Sequence, residues 1–129
     1  RAKVFWLLIG TNNIPDGCSP ESVLMGILYI CKFLYDKTDA QIVLNGILPK
    51  GPLKLSKDPV WDQISWINDR LECFASGVDG VSFFNATDIF LTNNKTMINK
   101  TTMDDFLHPS PLGSDLWGKA IHDRLLEMI

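Results

Sequence analysis

Asp105 and His108 stand three residues apart in the stretch Asp104-Asp105-Phe106-Leu107-His108-Pro109-Ser110-Pro111-Leu112-Gly113, and a proline directly after the histidine forces a turn. A carboxylate at that spacing can accept a hydrogen bond from one imidazole nitrogen. The tautomer is then fixed, and the other nitrogen is left as a base. Two of the three members of a nucleophilic triad are therefore at hand. Asn12, in Ile9-Gly10-Thr11-Asn12-Asn13, is the other residue of chemical interest. Its amide can donate to a developing oxyanion, a contribution of about 3 kcal/mol in hydrolases where it has been measured.

Plainer readings exist for each. An asparagine after a glycine is a common turn residue, and Asp-x-x-His can simply hold a turn together. With Asp104 the pair could ligate a metal, but no third histidine or cysteine is near enough in sequence to complete such a site. His122 reads as an ordinary helix residue, and Trp61, Trp66 and Trp117 read as core or groove wall.

The elements that would position these residues alternate. Val4 to Ile9 is an unbroken apolar run ending at Gly10, as expected of a parallel strand covered on both faces. A turn-rich loop, residues 11–17, leads to Ser19-Pro20, an N-cap followed by a first-turn proline. The helix that follows should run to about Tyr35, with Val23, Leu24, Ile27, Leu28, Cys31 and Leu34 inward. Gln41 to Leu48 reads as a second buried strand stopped by Pro49 and Gly51. Asp58-Pro59 opens a second helix with Val60, Ile64, Ile67, Leu71 and Phe74 at helical spacing, ended by Gly77 and Gly80. Val81 to Phe84 is a third strand. Residues 85 to about 110 read as a long polar loop, a length expected of a functional one. A last helix, from about Pro111 to Met128, should turn Leu116, Trp117, Ala120, Ile121 and Leu125 inward.

Alternating strands and helices imply right-handed parallel crossovers and a layered α/β sheet. Ligands in such sheets bind beyond the carboxyl ends of the strands, where Asn12, Asp105 and His108 all fall. The first strand has no preceding partner, so it is expected in the middle of a sheet whose first strands are missing from this chain.

Composition narrows the field. The 129 residues suit one domain or a large part of one, and 46% of them are hydrophobic, ample for a packed core. A net charge of −3 with mixed signs gives no nucleic-acid footprint. No run approaches a membrane span, and the N-terminus does not read as a signal peptide. The three cysteines, Cys18, Cys31 and Cys73, have spacings that suit neither zinc nor a complete disulfide framework. Sequons beginning at Asn85, Asn94 and Asn99 lean towards N-glycosylation and the secretory pathway, with a cytoplasmic location as the alternative.

Ile9-Gly10-Thr11-Asn12-Asn13 resembles the third conserved block of the SGNH (GDSL-type) ester hydrolases, and Asp105-Phe106-Leu107-His108 resembles their fifth. Within that family the chain is most similar to the catalytic subunits of intracellular platelet-activating-factor acetylhydrolases. Those share the Gly-Thr-Asn-Asn loop, a strand ending like Asn45-Gly46-Ile47-Leu48-Pro49-Lys50-Gly51, and the Asp-Phe-Leu-His turn. The similarity covers nearly the whole chain in the right order.

The resemblance implies a three-layer α/β/α, flavodoxin-like SGNH fold and an acetyl or short-acyl esterase that needs no cofactor. It implies His108 as general base, Asp105 as the residue that orients it, and Asn12 as side-chain donor of the oxyanion hole, with Thr11 and Asn13 on the substrate rim. The substrate would be a small acyl ester, an acetylated lipid or sugar. The family's nucleophilic serine sits in a Gly-Asp-Ser turn that this chain does not contain, and Ser110 is too near His108 in sequence to replace it. The expectation is therefore the C-terminal portion of a single SGNH domain over residues 1–129. The N-terminal part, on this polypeptide or another, would supply the serine. The alternatives are a non-catalytic fragment or pseudo-enzyme of the same fold that binds a glycan or a protein, and, more remotely, a flavodoxin-like regulatory domain.

Overall fold

The computed structural model describes residues 1–92 and 94–129. It divides into two compact units, Arg1–Leu48 with Pro59–Asn85, and Pro49–Asp58 with Ala86–Ile129.

The first unit contains β1 (Val4–Leu7), α1 (Pro20–Lys37), β2 (Gln41–Asn45), α2 (Pro59–Ser76) and β3 (Val81–Phe84). The strands form a parallel sheet in the order β1-β2-β3, with Phe5 opposite Ile42 and Ile42 opposite Val81. Ser19 caps α1 as its spacing predicts: its hydroxyl accepts from the Ser22 amide at 3.1 Å, and Pro20 fills the first turn. Val23, Ile27 and Cys31 of α1 and Ile64, Ile67 and Leu71 of α2 bury against Ile42, Leu44 and Val81. Both crossover helices thus cover one face of the sheet, in agreement with the parallel α/β expectation. β1 pairs with β2 on one side and, among the described residues, with no strand on the other. Its four residues are all half-buried.

The first two strands are shorter than the apolar runs that predict them. β1 stops at Leu7, two residues before Ile9, and the chain turns at Gly10, whose φ of +106° is open to glycine at little cost. A Cβ there would stand 2.9 Å from Val23 Cγ1 and 3.2 Å from Ile47 Cδ1, so the turn also sits tight on the core. β2 stops at Asn45, not Leu48. The ladder ends with the Gly46 amide donating to the Phe84 carbonyl, and a side chain then takes over. Asn68, buried on α2, accepts from the Ile47 amide at 2.8 Å and donates to the Ile47 carbonyl at 3.0 Å. One carboxamide imitates a strand edge where the sheet has ended.

In the second unit lie α3 (Thr87–Phe90), β4 (Leu91–Thr92), β5 (Met97–Ile98) and α4 (Pro111–Met128). Here the expected long loop is corrected. β4 and β5 form an antiparallel hairpin with Leu91 opposite Ile98, and Lys54 bridges to Met97. Phe90, Leu91, Ile98, Met103 and Leu55 are buried, so the segment owns a small core. Its strands are two residues long, too short to show alternation. The tightness of its turn comes from Asn94 and Lys95, both at positive φ.

α4 has the expected bounds, but Leu116 is 43% exposed instead of inward. The helix is anchored at its start. The Ser110 hydroxyl accepts from the Gly113 amide, while a Cβ on Gly113 would collide with the Thr102 carbonyl oxygen. Trp117 meets the Phe90 ring edge-on at 6.1 Å.

Asn68→Ala would leave the Ile47 amide and carbonyl buried and unpaired. Its expected cost is about 1–3 kcal/mol, read as a lower urea midpoint at unchanged slope.

Candidate active site

The stretch 99–110 is built from the inside out. The Thr102 hydroxyl donates to the Ile89 carbonyl at 2.8 Å, and the Thr102 carbonyl accepts from the Ser110 amide at 2.8 Å. The Ser110 hydroxyl donates to the Thr101 carbonyl at 2.7 Å as well as capping α4. Ser110 is 7% exposed and both of its hydrogen-bonding roles are structural, which leaves it no part as a nucleophile. The Ser110-Pro111 pair repeats the Ser19-Pro20 cap signal, and that repeat is the clue by which sequence alone could have assigned it.

Between these anchors the Asp105 carboxylate gathers three donors. Oδ1 accepts from the Leu107 amide at 2.9 Å and from the His108 amide at 2.7 Å. Oδ2 lies 2.8 Å from His108 Nδ1. An ionised carboxylate can only accept, so Nδ1 carries the hydrogen and the neutral ring keeps its lone pair on Nε2. That nitrogen is the one left for chemistry. The hydrogen bonds from the His108 amide, the His108 ring and the Leu107 amide hold the Asp105 carboxyl down at about 2. The pair is open to solvent, with His108 73% and Asp105 54% exposed at the side chain. Its constancy therefore comes from the backbone donors rather than from burial.

Phe106, between the two, has φ +62°, a left-handed conformation that side chains other than those of Asn and Asp seldom adopt. The Gly51 amide donates to its carbonyl at 2.6 Å. No sequence signal singled out Gly51 beyond its place at the end of a strand, and the left-handed Phe106 had none.

Asn12, with Thr11 and Asn13, belongs to the first unit. These residues lie in the turn after Gly10, where the Asn13 amide donates to the Gly10 carbonyl and the Asn12 carbonyl accepts from the Asp16 amide. The Asn12 side chain is exposed. His122 sits on the exposed face of α4, 3.4 Å from Asp123. Among the described residues no three His, Cys, Asp or Glu side chains group as metal ligands, and no helix is long and apolar enough to cross a membrane.

No protein-family model matches the chain. Over its whole length it is 28% identical to platelet-activating factor acetylhydrolase IB subunit alpha1 of Homo sapiens and of Bos taurus, covering 54% and 53% of those proteins. The chain thus spans about half the length of the curated relatives it matches. A solved structure from Streptococcus pneumonia, presented as a platelet activating factor, superposes with TM-score 0.78 at 26% identity, over 95% of this chain and 59% of that one. A solved structure from Bacteroides fragilis, presented as an acylhydrolase, superposes with TM-score 0.83 over 97% of this chain and 62% of that one. At 16% identity the latter speaks for the fold alone. The acetylhydrolase and Streptococcus likenesses support an SGNH-like hydrolase relationship, the one that the Gly-Thr-Asn-Asn and Asp-Phe-Leu-His motifs imply.

Asp105 should titrate near 2 by carboxyl-carbon NMR, below the ordinary value of about 3.9. Its folded value is depressed, so the stabilisation it provides is present above about pH 4 and lost as pH falls towards 2. Asp105→Asn should remove that acid-side dependence from the unfolding curve.

Proposed function

We propose that this chain provides the base, the orienting carboxylate and one oxyanion donor of an ester hydrolase acting on acetyl or other short-acyl esters. The observation that carries the reading is the three-donor grip on Asp105, with His108 Nδ1 among the donors. The two amides on Oδ1 are what an Asx turn provides. The ring Nδ1 on Oδ2 is what a general base adds, because ring orientation decides whether Nε2 meets its proton.

In this reading His108 Nε2 takes the proton of a serine hydroxyl as the oxygen attacks the ester carbonyl. The tetrahedral oxyanion accepts a hydrogen bond from the Asn12 amide. Its collapse expels the alcohol, which receives the proton from His108. Water, deprotonated by the same nitrogen, attacks the acyl carbonyl. Collapse of this second intermediate breaks the bond to serine, whose oxygen takes the proton back from His108 as the acid leaves. Asp105 stays ionised throughout and steadies the imidazolium. Thr11 and Asn13 form the substrate rim beside Asn12. The serine comes from a segment outside this chain, which is the C-terminal portion of one SGNH domain. The half-length match to the relatives and the one-sided pairing of β1 support that assignment. The substrate is an acetylated lipid or sugar.

In the full-length polypeptide, a fluorophosphonate probe should label a serine outside these 129 residues. His108→Ala should lower turnover by roughly 10²–10⁴-fold with little change in the unfolding midpoint. A fully active His108→Ala enzyme would overturn the assignment, and an intact protein that refuses the probe would favour the non-catalytic binding module.

From the sequons, and not from the hydrolase reading, whose resemblance is to intracellular enzymes, we also propose that the protein enters the secretory pathway with glycans on Asn85, Asn94 and Asn99. Exposure of Asn85 and Asn94 supports this; Asn99 is half-buried, and its Oδ1 accepts from the Thr101 amide at 3.0 Å. Peptide N-glycosidase should lower the mass of the native protein. An unchanged mass would favour the cytoplasmic alternative.

A further inference from the structure

We propose that Gly51 is a positioning residue for the Asp105–His108 pair, fixing the backbone of Phe106 both by the bond it donates and by the side chain it lacks. The inference rests on the hydrolase reading for its consequence in turnover, while its geometric content stands apart from that reading.

Phe106 joins the two functional residues, so its φ of +62° sets how the Asp105 carboxylate meets the amides of Leu107 and His108. Left-handed backbone at a phenylalanine persists only where its surroundings over-determine it. Two backbone bonds do so here. The Phe106 amide donates to the Met103 carbonyl at 3.2 Å, and its carbonyl accepts from the Gly51 amide at 2.6 Å. The second bond allows no side chain on its donor. A Cβ at position 51 would stand 2.8 Å from Phe106 Cβ, 3.4 Å from its carbonyl oxygen and 3.5 Å from Cγ.

The atom met most closely is Phe106 Cβ, which is fixed to the main chain and cannot swing aside as a ring can. Relief must therefore come from the backbone, at the link between carboxylate and imidazole. The Phe106 ring has more freedom, with Lys100 Nζ 5.9 Å from its centroid. Gly51 is itself part of the second unit, so the whole constraint lies within one compact body.

The test is a double-mutant cycle with Gly51→Ala and Phe106→Gly. Removing the Phe106 side chain deletes the atom that a Cβ at 51 would strike, and glycine accepts the positive φ. Gly51→Ala alone should raise the Asp105 titration from about 2 towards the ordinary range. In the full-length enzyme it should lower kcat by roughly 10–100-fold, the scale of a misplacement near 1 Å, with KM little altered. In the Phe106→Gly background the same substitution should change neither quantity. A general packing defect would not be cured this way. An Asp105 titration that ignores Gly51→Ala, or an equal effect of Gly51→Ala in both backgrounds, would overturn the proposal. So would a double variant that fails to fold where Phe106→Gly folds. If His108→Ala leaves turnover intact, the hydrolase reading fails by itself, while the titration arm still decides the role of Gly51.

Discussion

The Asp105 carboxylate is the fixed point of the stretch that joins α3 to α4. Two backbone amides hold one of its oxygens and an imidazole holds the other, so the side chain is held in one orientation. Because the pair faces solvent, Coulomb attraction alone would hold it weakly. Backbone amides do not sample rotamers as long charged side chains do, and they turn an exposed contact into a defined geometry. The supports behind it follow the same logic: Thr102 ties the stretch to the end of α3, Ser110 ties it to the start of α4, and Gly113 lets the two approach.

The first unit solves a different problem with similar means. A parallel sheet must release its chain at the carboxyl ends of the strands, where the connecting loops begin. Gly10 does so by a conformation that L side chains rarely adopt, and Asn68 does so by pairing Ile47 after β2 has no neighbour left. Ile47 then packs beside Gly10, which carries the turn containing Asn12. Sheet core and loop are thereby joined through one buried carboxamide.

The parts legible in sequence were those with long periods or strong punctuation. α1, α2 and α4 showed through helical spacing and proline-marked starts, and β3 was read to the residue. What escaped was short or depended on distant partners. β4 and β5 have too few residues for alternation to register, so a packed hairpin read as a polar loop. The strand ends were overrun because apolar character continues through Ile9 and Leu48 after the ladder has stopped. Asp105 and His108 stood out because their pairing is local. Gly51 and the left-handed Phe106 did not, since the contact that joins them spans half the chain and leaves no mark in either neighbourhood.

The bond from Gly51 to Phe106 also orders events in time. Hydrogen bonds that Asp105 makes to its near neighbours can form as soon as those residues exist, but they are fleeting while Phe106 is free to leave its uncommon conformation. Closure between positions so far apart carries the entropy of a long loop and is slow compared with local contacts. A nascent or partly unfolded chain would therefore hold both residues without holding the pair. The geometry of the pair is thus a property of the folded state and not of the local sequence alone.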